Sequence, residues 1–140
     1  MTWSKYVSAV IGAAVASVSV GCGGDNSSPT APSATVVNER FLGTLAPSGS
    51  NTHAFRVAAA GTLEIVLTAV SPDAAVSLGV AVGTWNGSVC TVVTANQNAR
   101  QNTLAVSGNA LVGDFCVQVF DSGKIPANGT TNYTLQVNHT

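Results

Sequence analysis

The sequence predicts an all-β protein, a single jelly-roll-like β-sandwich of about eight strands that follows a cleaved signal segment and a flexible stalk. Three observations carry this expectation. Apolar and polar residues alternate at period two in short runs. Clusters of Gly, Pro, Asn, Asp and Ser separate those runs. No stretch after residue 34 has helical periodicity, and β-branched residues crowd the alternating segments.

The strands follow in order. Runs at 41–45 and 53–57 come first, the second with His53 in phase with Phe55 and Val57, as a partly buried strand histidine would be. In 62–69, Leu63, Ile65 and Leu67 fall on one face, with Glu64 and Thr68 on the other. Runs at 76–82, 89–94, 103–106 and 115–120 are shorter or less regular. The last is the clearest: Tyr133, Leu135 and Val137 point one way, and Thr134, Gln136 and Asn138 the other. Turn chemistry stands between them at Pro47-Ser48-Gly49-Ser50, Ala60-Gly61, Ser71-Pro72-Asp73, Asn86-Gly87-Ser88, Ser107-Gly108-Asn109 and Asp121-Ser122-Gly123. Asp73, Asp114 and Asp121 lie near these turns and are expected to stabilise them, so no metal site is assigned to them. His139, one residue from the end, is expected to fray.

Ahead of the domain, Lys5 is followed by an almost unbroken apolar run from Tyr6 to Val20, closed by Ser19-Val20-Gly21-Cys22. The run is roughly fifteen residues, short of the about 20 that cross a bilayer and close to the central region of an export signal. The closing residues resemble the lipobox of bacterial lipoproteins, in which small residues precede a cysteine that becomes lipidated. Ser19 stands where that motif prefers Leu. The resemblance implies a signal peptide over 1–21 and lipidation at Cys22. A plain secretory signal cut nearby and an uncleaved membrane helix are the competing readings. Residues 22–38 then form a stalk whose Gly/Ser/Pro-rich first part holds no large apolar side chain, so it cannot offset its ordering entropy by burial.

The remainder, 39–140, is long enough for one core and too short for two. From Cys22 onward there are only four cations, Arg40, Arg56, Arg100 and Lys124, against six acids. Nucleic-acid binding needs clustered Lys and Arg to neutralise phosphates, so this composition excludes it. With Cys22 assigned to lipid, Cys90 and Cys116 remain as an even pair in an exported chain, and a disulfide between them is the default.

Four segments resemble the bacterial pre-peptidase C-terminal domain family: His53-Ala54-Phe55-Arg56-Val57, Gly61-Thr62-Leu63-Glu64-Ile65-Val66-Leu67, Asp114-Phe115-Cys116-Val117-Gln118-Val119-Phe120-Asp121 and Asn132-Tyr133-Thr134-Leu135-Gln136-Val137. The resemblance spans about residues 40–140. It implies a jelly-roll-like sandwich of the kind appended to exported enzymes. No catalytic domain is expected beside it here, and the expected stalk with its anchor stands in that place.

No Gly-x-Ser-x-Gly elbow, paired-carboxylate arrangement or phosphate-cradling loop occurs, so neither catalysis nor a cofactor is expected. Trp85 and Asn86 are the candidate ligand contacts, because an indole ahead of a tight turn can stand at a loop mouth. The alternative for Trp85 is that it seals one end of the sandwich beside the Cys90–Cys116 bridge. The expected function is a lipid-anchored, extracytoplasmic, non-catalytic binding or structural module of the bacterial cell envelope. Its partners would be the membrane and an envelope polysaccharide or protein. A small exported hydrolase, or an accessory subunit of a secreted enzyme, is the alternative.

Overall fold

A computed structural model describes residues 33–140. The predicted signal segment 1–21, Cys22 and the stalk through residue 32 lie outside the described residues. The described chain forms eight strands: β1 (Val37–Leu45), β2 (Ser50–Val57), β3 (Gly61–Ser71), β4 (Leu78–Trp85), β5 (Cys90–Ala99), β6 (Thr103–Ala110), β7 (Gly113–Phe120) and β8 (Thr131–His139).

Every predicted run lies in one of these strands, with ends that differ for physical reasons. β1 begins at Val37, so the last two residues assigned to the stalk are strand. Pairing with β8 recruits them, and the Asn38 carboxamide donates to Asn138 Oδ1 at 2.5 Å. The expected turn at Ser107-Gly108-Asn109 is corrected more substantially. These residues continue β6 and pair with Glu64, Leu63 and Thr62 of β3. Their composition suits a turn, but the neighbouring strand supplies a ladder that turn propensity does not outweigh. The actual link is Leu111-Val112, which carries no turn signal.

Two four-stranded antiparallel sheets result, ordered β1-β8-β3-β6 and β2-β7-β4-β5. Only the β4–β5 link joins neighbours within a sheet; the other links cross between sheets. The pairing is nested: β4 with β5, β3 with β6, β2 with β7, and β1 with β8. This is a long hairpin rolled up once, the winding of a jelly roll. Its fold point is Asn86-Gly87, the strongest short-range hairpin signal in the sequence. Gly87 sits at φ +97, where glycine escapes the Cβ penalty.

The core lies between the sheets. Ile65, Leu67, Leu135 and Val137 from one meet Val57, Leu78, Val80, Val117 and Val119 from the other, all fully buried. Each such side chain contributes about 1.5–3 kcal/mol by leaving water. β4 breaks the alternation, being buried at every position from Leu78 to Gly83. Small residues make this feasible: Phe120 covers Gly79 so closely that a Cβ there would overlap its ring. At Gly83 the register with β5 shifts, and the β5 backbone approaches until a Cβ would collide with the Thr91 carbonyl.

These contacts separate two glycines. Gly83→Ala should cost about 1–3 kcal/mol by overpacking against backbone. Gly108→Ala, whose Cβ would meet open space, should be neutral or stabilising by about 0.5 kcal/mol. Urea denaturation of the two variants checks the contrast, and equal losses would contradict the close approach at Gly83.

Candidate functional site

The disulfide predicted from the cysteine count is present. Cys90 at the start of β5 and Cys116 in β7 are bonded, with Cα atoms 5.7 Å apart and a sequence separation of 26. β4 runs between those two strands, and Gly83 of β4 is the register partner of Cys116. The bridge therefore straps β4 to both neighbours where β5 bends inward. Trp85 is the register partner of Cys90 and is half-buried at the last position of β4.

Asn86 follows in the exposed turn, where its side-chain oxygen accepts from the Ser88 and Val89 amides at 2.9 and 2.8 Å. That oxygen closes an Asx turn, which leaves the carboxamide NH2 as the part of Asn86 facing outward. The two candidate contacts thus sit together at one end of the sandwich.

The histidines occupy different surroundings. His53 on β2 stacks on Phe41 of β1, with ring centroids 4.9 Å apart, and its Nε2 lies 2.8 Å from the Tyr133 hydroxyl on β8. Burial lowers the His53 pKa below its ordinary value. Burial also raises the Tyr133 pKa, against a smaller opposing hydrogen bond from Asn51. The His53 Nε2–Tyr133 hydroxyl hydrogen bond, its direction set by the His53 tautomer, joins the two sheets through a polar contact. His53 is the partly buried strand histidine that its phase with Phe55 predicts.

His139 corrects the expectation of a frayed end. It is 2% exposed, with its ring 5.4 Å from that of Phe55, and its Nε2 lies 2.8 Å from Glu39 Oε1. The reason is the central place of β8, paired with β1 on one side and β3 on the other. Thr140 then holds the β2–β3 link, its hydroxyl donating to Ala59 O at 2.7 Å and its carbonyl accepting from the Ala58 and Ala59 amides. Sequence periodicity places His139 on the face of Tyr133, Leu135 and Val137, a signal that was available and was outweighed by proximity to the terminus.

The three aspartates divide. Asp73 Oδ1 accepts from the Ala75 amide at 2.9 Å, and Asp121 accepts from the Gly123, Lys124 and Ile125 amides through Oδ1 and from Ser48 through Oδ2. Both stabilise turns as expected. Asp114 does not; it lies within β7 and pairs with Arg56 of β2 at 3.0 Å. Burial pushes the Asp121 pKa up, but the four amides outweigh it and leave the carboxyl below its ordinary 3.8. Among the described residues, no three His, Cys, Asp or Glu side chains converge as a metal set would.

One apolar cleft opens between β5 and β6, bordered by Leu63, Val82, Val93, Val106, Ala110 and Phe115, with a volume of about 140 Å³. Small-molecule sites usually begin at about 300 Å³, above the volume of this gap between two edge strands; hollows of about 350, 340 and 330 Å³ lie beside Tyr133, Glu64 and Asp73. The arrangement supplies packing, a covalent strap and an exposed turn.

Two consequences are measurable. Replacing both cysteines, Cys90→Ala with Cys116→Ala, should cost about 3–4 kcal/mol, the loop-closure value for this separation. Reduction of the native protein should lower its Tm correspondingly, and an unchanged Tm would remove the structural role. Stability should also fall in two acid windows. A folded His53 pKa below 6.5 makes its contribution complete above 6.5 and progressively lost as pH drops from there towards the folded value. The depressed Asp121 contributes above 3.8 and loses its effect as pH falls through its lower folded value. Melting curves across pH should show the first slope vanish in His53→Phe and the second in Asp121→Ala.

No protein-family model matches the chain, and no curated protein does. Among solved structures, the chain is similar to the pre-peptidase C-terminal domain of a collagenase from Bacillus anthracis. The two are 18% identical, the match covers 72% of this chain and 87% of that one, and the TM-score is 0.47.

Proposed function

We propose that this chain is a lipid-anchored, extracytoplasmic, non-catalytic module of the bacterial cell envelope, one that binds or braces other envelope components. The observation that carries the reading is a disulfide-closed β-sandwich that follows, after a short stalk, a lipidation-type segment. Structural disulfides persist in oxidising compartments. Acyl chains on Cys22 would add about 0.8 kcal/mol per buried methylene, so several chains hold a domain where one is marginal. The low charge of the exported part suits a surface kept soluble by Ser, Thr and Asn. Both histidines are engaged in contacts that hold the sandwich together, which favours a structural role for them over proton transfer. A polysaccharide or protein of the envelope stacking on Trp85 is the soluble partner this reading admits.

The chain expressed from Met1 in a bacterial host provides the test. Mass spectrometry of the mature N-terminus should find Cys22 first and acylated, and Cys22→Ser should abolish that modification and processing. An unmodified terminus elsewhere would overturn the anchor. Incubation with ester, glycoside and peptide substrates should give no turnover, and turnover would overturn the non-catalytic assignment.

A further inference from the structure

The two ends of the sandwich differ in chemistry. Successive strands run antiparallel, so links 58–60, 86–89 and 111–112 fall at one end, together with the start of β1 and the close of β8. Links 46–49, 72–77, 100–102 and 121–130 fall at the other. The second end carries Asp73, Arg100, Asp121 and Lys124. The first has no charged residue in any of its links.

Instead it exposes large aliphatic side chains. Leu111 is 75% exposed, Val112 59%, Val89 58% and Val36 68%. Ala58-Ala59-Ala60 and Leu111-Val112 contain no turn-forming polar residue, although short links facing water are where such residues are expected. Trp85, half-buried, stands at the same end. The nearest charges on β2 and β7 are Arg56 and Asp114, which pair with each other, on β1 Glu39 accepts from His139, and on β3 Glu64 is exposed three residues inside the strand.

We propose that this end rests on the lipid surface to which the chain is tethered, with Leu111, Val112 and Val89 entering the interface and Trp85 at headgroup level. The proposal rests on the anchored reading in one respect: the chain enters the domain at this end. Fourteen residues separate Cys22 from Val37, a reach of at most about 50 Å fully extended. A domain held that close meets the bilayer at high effective concentration, and the end nearest its attachment point is the one whose links carry no charge. Apolar loop tips with an indole beside them suit the boundary between headgroups and acyl chains.

The protein processed in a bacterial host, from which cleavage before Cys22 removes Trp3 and leaves Trp85 as the indole, is reconstituted into vesicles of phosphatidylethanolamine and phosphatidylglycerol with brominated acyl chains. Trp85 fluorescence should be quenched. Leu111→Asp with Val112→Asp should reduce the quenching roughly threefold or more, since interfacial binding scales with buried apolar area. Leu111→Ser with Val112→Ser should act in the same direction, and Ala127→Asp at the opposite end should leave quenching unchanged. Melting curves matching the parent confirm that the variants fold.

Quenching that survives the double Asp substitution overturns the proposal. So does shielding of Trp85 in lipid-free solution that rises with protein concentration, which would make this end an interface between copies, or shielding by added envelope polysaccharide alone. Acylation of Cys22 is read separately by mass spectrometry. Its absence would sink the anchor, while the response of Trp85 to vesicles still decides the docking end.

Discussion

The Cys90–Cys116 bridge ties the β4–β5 hairpin to β7, and the rest of the sandwich is arranged around that tie. Once β4 and β5 are joined at Asn86-Gly87, each outer pair closes over the one before it, until β1 meets β8 across 100 residues at Asn38 and Asn138. Such long-range pairing requires loop-closure entropy to be overcome before any contact compensates for it. A covalent link from β5 to β7 shortens the remaining search. It also explains why Gly83 must lack a side chain: the strap and the inward bend of β5 meet at that residue.

The two sides of the sandwich are closed by different means. On the β1–β2 side, His53 and Tyr133 form a polar join between sheets, and His139 packs against Phe55 while bonded to Glu39. On the β5–β6 side, the join is a single carboxamide, Asn96 donating to Ala105 O at 3.0 Å, beside the small apolar cleft. The first side is aromatic and hydrogen-bonded, the second aliphatic and partly open. The ends are distinguished again by charge, and together these asymmetries give an otherwise regular sandwich a direction.

Much of the candidate site was legible one residue at a time. Cys90 and Cys116 followed from an even count in a chain whose leader carries the expectation of export, and Asp73 and Asp121 from their turn-forming neighbours. The place of His53 followed from its phase with Phe55. Asp114 and His139 were misplaced for a common reason. Asp114 adjoins a glycine and His139 adjoins the terminus, and both local signals are overridden by a partner strand far away in sequence. Ser107-Gly108-Asn109 repeats the case: turn composition yields to a ladder with β3. The exposure of Leu111 and Val112 had no sequence signal, since two aliphatic residues between alternating runs look like core.

Period-two alternation, spaced turn chemistry, paired cysteines and an apolar leader ending at Cys22 are local properties of the chain, and by themselves they determined an all-β domain, its eight strands and the disulfide, and they carry the expectation of export. Which strands become neighbours is decided by non-local hydrogen bonds and by the burial of two faces against each other. Only the tertiary structure therefore set the strand order and register within the expected jelly-roll-like sandwich, the buried His139–Glu39 contact and the strapping of β4. It also gathered the uncharged links at one end, because antiparallel order sends every second link the same way whatever its composition.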